Sequence, residues 1–199
     1  MTTWPGTSIP KSAGNAYPPA GYLRECFQYE PDTGVLTWRI RPDNHFHSVG
    51  IARRVNRKAG KPVGTNSDGY LKFSLTYKGD RISMHVHRVV YYMSTGELPD
   101  NIDHIDGDGS NNRLANLRAA TNAENRCNTG VRRHNKLGVK GVQRTPHGRY
   151  QARISLNKKH IYLGTFSDIE SASAAYLHAA INHRGEFARV KNFDVKSDG

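Results

Sequence analysis

Acidic residues, cysteines and long apolar runs are all scarce in this chain, and each shortage narrows what it can be. Its 199 residues include 17 Asp and Glu against 29 Lys and Arg, a formal net charge of +12 with a pI near 9.9. That balance suits a polyanionic partner, although a solvated basic face gives the same count. The two cysteines, Cys26 and Cys127, are not in Cys-x-x-Cys spacing, so neither a disulfide framework nor a zinc ribbon is indicated. No run approaches transmembrane length, and the first twenty residues lack the apolar segment of a signal peptide. The expectation is a cytoplasmic protein with no membrane partner. The length suits one fairly large domain or two small ones.

Charge is not evenly spread. Residues 1–134 carry 18 basic and 12 acidic side chains, whereas residues 135–193 carry 10 and 3. The later segment is the denser in positive charge and the first place to look for binding.

Turn residues punctuate the chain. Residues 1–20 hold several Pro, Gly and Ser without periodicity and read as a disordered leader. Within 21–83, Tyr22 to Tyr29 reads as a short helix, Pro31-Asp32-Thr33-Gly34 as a turn, and Val35 to Trp38 as a strand; residues 41–66 read as a polar, basic loop region. Leu71, Phe73, Leu75 and Tyr77 then alternate with Lys72, Ser74 and Thr76, and Lys78-Gly79-Asp80 turns into Ile82, Met84 and Val86, a hairpin pattern. A short helix through Val89 to Tyr92 follows, inside a unit spanning 84–130. A basic linker, 131–137, leads to a second unit at 138–193, and 194–199 form a tail.

The segment Ile102 to Asn125, IDHIDGDGSNNRLANLRAATNAEN, carries the most chemistry. Asp103 and His104 stand together in an extended piece bracketed by Ile102 and Ile105. Asp106-Gly107-Asp108-Gly109 is rich in residues that tolerate positive φ and reads as a turn. Leu114, Leu117 and Ala119-Ala120 return toward a core, and Thr121-x-x-Glu124 is a capping-box pattern that sets Asn125 near the start of a helix. A carboxylate for a hard divalent cation and a histidine neutral near pH 7 are the parts needed to activate water against a phosphodiester. A calcium loop competes poorly, because the alternating acids stop at Asp108 and no bidentate Glu follows. A His-x-His pair in a strand would place both rings on one face, but His45-x-His47 and His85-x-His87 lack acidic or thiol companions in the sequence for a second metal site.

From His87-Arg88-Val89-Val90 through Asn125-Arg126 the chain resembles the HNH nuclease motif, the ββα-metal finger, in the variant that opens with Asp-His and closes with Asn. The resemblance implies that Asp103 and Asn125 hold the catalytic metal and that His104 is the general base. It also implies structural roles for His87 and for Asn116, which would tie down the loop between the strands. With Asn125 replacing the motif's final His, it argues for Mg²⁺ or Mn²⁺ over Zn²⁺. The front portion, YEPDTGVLTWR with its hairpin, is similar to phage-type HNH proteins.

In residues 138–193, Gly138 to Thr145, Arg149 to Leu156 and His160 to Phe166 read as three short strands, turning at Pro146-His147-Gly148 and Asn157-Lys158-Lys159. Ser167-x-x-Glu170 reads as a capping box opening a helix rich in alanine, which lets it lie close on a sheet. Ala152, Ile154, Leu156, Ile161 and Leu163 are expected to face that helix, with Gln151, Arg153, Ser155, His160 and Tyr162 outside. GVKGVQRTPHGRYQARI, YLGTF and GEFARVKNF make this unit resemble the APETALA-two DNA-binding domain of plant ethylene-response factors. The resemblance implies a DNA face of Lys140, Gly141, Gln143, Thr145, His147, Arg153, Ser155, His160 and Tyr162, and phosphate contacts from Lys140, Arg144, Arg149 and Lys158. The chain departs from the plant pattern at most of these positions, so the plant target sequence does not carry over.

The fold class expected is α+β: a ββα-metal module preceded by a small β-hairpin region and followed by a three-stranded antiparallel sheet packed on one helix. Three function classes stand. One is a metal-dependent endonuclease acting on double-stranded DNA, of the homing or phage nicking type and working as a monomer in the cytoplasm of its host cell. The others are a non-catalytic DNA-binding regulator and an RNA-directed protein. An intact Asp103, His104 and Asn125 favour the first over the second. A groove-reading sheet favours duplex DNA over RNA, whose major groove is too narrow to read.

Overall fold

The computed structural model describes residues 17–128, 130–131, 134–156 and 159–188. The expected leader before Tyr17, Arg132 and Arg133 of the linker, Asn157 and Lys158 of the second turn, and the tail lie outside the described residues. The chain divides into two compact units, one running to His104 and including Asp108–Ala120, the other comprising Ile105–Gly107 and everything from Thr121 onward. The expected α+β class is what is observed, and among the described residues every strand pairing is antiparallel.

In the first unit, α1 (Ala20–Cys26) leads into the hairpin β1 (Phe27–Glu30) and β2 (Val35–Trp38). The helix expected over Tyr22 to Tyr29 thus stops at Cys26. Its last residues are a strand in which Phe27 is buried and Gln28 exposed, an alternation that paired with β2 outweighs helical spacing. The region 41–66 is not loop throughout: α2 (Val49–Asn56) lies within it, opened by Ser48, whose hydroxyl accepts from the Ile51 amide at 3.3 Å. Only Ala52 of that helix is buried, so its apolar stripe is too thin to stand out in the sequence.

Next come β3 (Thr65–Ser67), β4 (Tyr70–Tyr77) and β5 (Asp80–His85), paired in that order. Lys78 and Gly79 both have positive φ, 50° and 91°, the mirror-image turn that matches the twist of a two-residue hairpin. Val86 belongs not to β5 but to α3 (Val86–Thr95), where Val86, Val89, Val90 and Met93 fall on one helical face and are all buried. Finally β6 (Asn101–His104) pairs with β7 (Leu117–Ala120). One core joins these elements, from Leu23 and Phe27 through Leu36, Leu75 and Met84 to Ile102 and Leu117. Ile102 and Leu117 thereby anchor both arms of the hairpin that carries Asp103 and His104.

In the second unit, α4 (Asn122–Cys127) precedes a sheet of β8 (Val142–Arg144), β9 (Tyr150–Leu156) and β10 (Lys159–Phe166), with β9 central. Helix α5 (Ile169–Arg184) packs on it through Ala172, Tyr176, Ala179 and Ala180, against Ala152 and Ile154. The first expected strand is shorter than its apolar pattern suggested, pairing only over Val142–Arg144. The cap of α5 is Asp168, not Ser167: its carboxylate accepts from the Ser171 amide at 2.7 Å. Ile161, expected inward, is 38% exposed, and the register of β10 shifts between Tyr162 and Gly164, whose φ is 134°.

Candidate active site and nucleic-acid interface

The β6–β7 register sets Asp103 directly opposite Arg118 and His104 opposite Leu117. Facing residues in an antiparallel pair point to the same side, so Arg118 meets Asp103. Its Nε and a terminal nitrogen both donate to Asp103 Oδ2, at 3.0 and 2.7 Å, in a pair with only 5% of the Asp103 side chain exposed. His104 is 4% exposed and its Nε2 lies 3.2 Å from Oδ1 of Asn112, itself 1% exposed. With the proton on Nε2, that nitrogen donates to Asn112 and the ring lone pair resides on Nδ1, the form a general base requires.

The loop between the two strands is braced at several points. Asp108 Oδ1 accepts from the Ser110 amide at 2.9 Å and hydroxyl at 2.7 Å, and Asn116 Nδ2 donates to the Asn111 carbonyl at 2.9 Å. From outside, the Tyr29 hydroxyl donates to the Asn112 carbonyl at 3.0 Å, and Arg113 Nε donates to the Asp32 carbonyl at 2.6 Å. The β1–β2 turn reaches this close because Gly34, at φ 75°, has no Cβ; one built there would lie 2.6 Å from the Arg113 amide nitrogen. Thus the turn of the first hairpin wedges the loop that presents Asn112 to His104.

Two more rings flank His104, and a third stands behind them. His87 lies 5.0 Å from it between centroids and Tyr70 5.8 Å, and His85 lies 5.2 Å from His87. His87 is pushed down to about 3, first by burial and then by its neighbours His104, His85 and Arg88, so it is neutral near pH 7. His85 is lowered as well, by burial and then by Lys72 and Arg88.

Asn125 stands on α4, exposed, on a helix opened by a capping box: Thr121 Oγ1 accepts from the Glu124 amide at 3.2 Å, and Glu124 accepts from the Thr121 amide at 2.7 Å. Among the described residues no three His, Cys, Asp or Glu side chains cluster to hold a metal. The donors the motif offers, a carboxylate and an amide, are hard oxygen ligands and fit Mg²⁺ or Mn²⁺ chemically.

On the second unit, the outward face of the sheet is already cross-linked. Gln143 Nε2 donates to Gln151 Oε1 at 2.8 Å, and Arg153 donates to the same oxygen at 3.3 Å. Ser155 Oγ and His160 Nδ1 lie 2.7 Å apart, as do Tyr162 and Thr165 hydroxyls at 2.8 Å. Arg149 donates to the Thr165 carbonyl at 3.3 Å, Tyr162 is 60% exposed, and Arg144 and His147 are exposed. Lys140 is half-buried just before the sheet. Gly141 faces the other way: at φ 73°, its missing Cβ leaves room for the Tyr176 ring of α5, so it is a packing residue of the helix side.

Sequence reasoning missed Asn112, Arg118 and Tyr70. Arg118 was within reach, since equal hairpin arms pair it with Asp103. Gln151 was assigned to the outer face without its role as the shared acceptor there. Asn112 looked like one more turn residue, and Tyr70 reaches His104 only through the tertiary fold.

Residues 84–127 match the family model described as HNH endonuclease. The chain is similar to an uncharacterized HNH endonuclease of Acanthamoeba polyphaga mimivirus, 31% identical over 114 residues, 56% of this chain and 59% of the viral protein. It is also similar to an ethylene-responsive transcription factor of Arabidopsis thaliana, 30% identical over 171 residues, 80% of this chain and 36% of the plant protein. An AP2-like ethylene-responsive transcription factor of the same plant is 47% identical over 68 residues, 33% of this chain and 10% of that factor. The chain therefore spans less than two thirds of each of these relatives. An HNH endonuclease domain is joined here, in one chain, to an AP2-like domain.

Proposed function

We propose that this chain hydrolyses phosphodiester bonds of double-stranded DNA, with His104 as the general base. The observation that carries this reading is the buried Asp103–His104 pair, whose imidazole is held by Asn112 within the segment that matches the HNH family. His104 takes the proton from a water whose oxygen attacks phosphorus. The bond to the 3′ oxygen breaks, and that oxygen takes a proton from solvent, leaving a 5′-phosphate and a 3′-hydroxyl. Asp103, oriented by Arg118, and Asn125, assigned from its place in the motif, would hold a divalent cation, Mg²⁺ or Mn²⁺. When bound, that cation supplies positive charge for the phosphate oxygens as negative charge builds on them.

The AP2-like sheet binds the duplex through Gln143, Arg144, Thr145, Arg149, Arg153, Ser155, His160 and Tyr162, with Lys140 beside them; a small sheet with such a face can enter a major groove. No described helix is long and apolar enough to cross a membrane. The setting that fits is a phage or homing nuclease that works as a monomer in the cytoplasm and nicks one strand, since one constellation cuts one phosphodiester per docking. Incubating the full chain with supercoiled plasmid tests this: open-circular DNA is expected with Mg²⁺ and none with EDTA. Linear product formed directly from supercoiled DNA, together with a dimer in light scattering, would overturn the single-strand reading. A guanidinium already on Asp103 would suit a binding-only protein, and DNA binding without any nicking would favour that alternative.

A further inference from the structure

Five basic residues of the first unit gather around one cavity. Helix α2, the segment before it and the β4–β5 turn enclose a cavity of about 750 Å³, within the range of small-molecule sites. Arg41, Arg54, Lys58, Lys78 and Arg81 line it, and no carboxylate does so among its described lining residues. None of the five makes an ion pair among the described residues. Phe46, Ile51 and Val55 form an apolar wall beside these charges, and the buried Trp38 lies behind Lys58, whose ammonium sits 5.3 Å from its ring centroid.

Arg41 is the informative member. It is 5% exposed, and its guanidinium sits 4.7 Å from the Phe46 ring centroid. One terminal nitrogen donates to the Tyr22 hydroxyl and Nε to His45 Nδ1 at 3.4 Å. The nearest acid in this network is Glu25, which reaches Arg41 only through His45, whose Nε2 lies 2.7 Å from it. A buried cation without a direct counter-charge is costly, and an anion in the cavity would offset that cost. A second basic cavity of about 450 Å³ shares Trp38, Lys58, Ser74 and Arg81 with the first and adds Lys61 and Lys72.

We infer that the α2 cavity binds a nucleotide, with the phosphate among Arg54, Lys58 and Arg81 and the base against the wall of Phe46, Ile51 and Val55. The cavity is much larger than a bare phosphate needs, and an apolar wall with an aromatic ring, beside cations that have no carboxylate partner among the described residues, is what an aromatic base carrying a phosphate requires. The adjoining basic cavity gives a following phosphate a place if the nucleotide belongs to an unpaired strand. This site makes no use of His104 and stands whether or not the chain cleaves DNA.

The test is isothermal titration of the full chain with inorganic phosphate, adenosine 5′-monophosphate and a short single-stranded oligonucleotide. The wild type is compared with Arg54→Ala/Lys58→Ala/Arg81→Ala, all exposed positions. Adenosine monophosphate should bind at least about tenfold more tightly than phosphate, and the triple variant should weaken it by about tenfold or more. The charge-keeping variant Arg54→Lys/Lys58→Arg/Arg81→Lys should restore binding, separating lost charge from lost fold. A variant-sensitive oligonucleotide about tenfold tighter than the mononucleotide assigns the site to a strand, and equal affinity assigns it to a free nucleotide. Phosphate binding as tightly as the mononucleotide, or nucleotide and oligonucleotide binding untouched by the triple variant, would overturn the inference.

Discussion

The hairpin bearing Asp103 and His104 and the outer face of the C-terminal sheet are both polar, yet they are built in opposite ways. Asp103, His104 and Asn112 are each 5% exposed or less, and Arg118 and Asn112, which hold the first two, belong to the same unit. On the sheet, Tyr162 is 60% exposed, and the outward side chains bond to one another rather than to a core. Under the proposed role of His104, burial removes water from the group that would move a proton and fixes its ring. Exposure keeps side chains available for a partner as broad as a duplex, while their mutual bonds limit the ordering needed on binding. Substitutions in the first region should therefore alter stability and chemistry together, and those in the second should alter binding alone.

Arg118→Ala should break the comparison most visibly. It strips the guanidinium from a buried carboxylate, and about 3–5 kcal/mol of stability should be lost in chemical denaturation. Where the variant is still folded, cleavage should fall by about 10- to 100-fold, since the guanidinium orients Asp103. Gly141→Ala strikes the packed side of the C-terminal sheet, where a Cβ collides with Tyr176 at a positive φ. A melting experiment should register a loss of about 1–3 kcal/mol.

The pH dependence separates the regions again. His87 has a folded value of about 3, far below that of an unfolded histidine, so the unfolded chain binds the extra proton between the two. Its contribution is complete above about pH 6.5 and is lost as pH falls toward 3, with a limiting slope of about 1.4 kcal/mol per pH unit. His87→Gln should flatten that acid limb in denaturation curves taken across the window. The smallest effect belongs to the exposed face. Arg149→Ala should change stability by no more than about 0.5 kcal/mol, and should reduce the log–log salt slope of duplex binding by about 0.9. An unchanged slope would remove Arg149 from the phosphate contacts.

What the sequence revealed, and what it hid, follows from the range of the interactions. Asp103 beside His104, the Thr121–Glu124 capping box and the Lys78-Gly79 turn are written in consecutive residues, where local chemistry decides. Strand β1 was hidden because Phe27 to Glu30 satisfies helical spacing nearly as well, and only pairing with β2 settles it. Helix α2 was hidden because its buried face is one alanine wide. In the candidate site, the partner that holds the imidazole is a turn asparagine, chosen by a loop that the Pro31–Gly34 turn wedges into place from some 80 residues away. Asn112 has no local pattern to distinguish it from Asn111.

The central claim is that His104 is the base of a nuclease rather than a buried core histidine, and the most direct test is His104→Ala in the full chain. Plasmid nicking in Mg²⁺ and duplex affinity are measured on the same preparation. The expected result is a loss of cleavage of about 10² to 10⁴-fold with affinity for DNA essentially unchanged. Nicking at the wild-type rate by a folded His104→Ala chain would contradict the account.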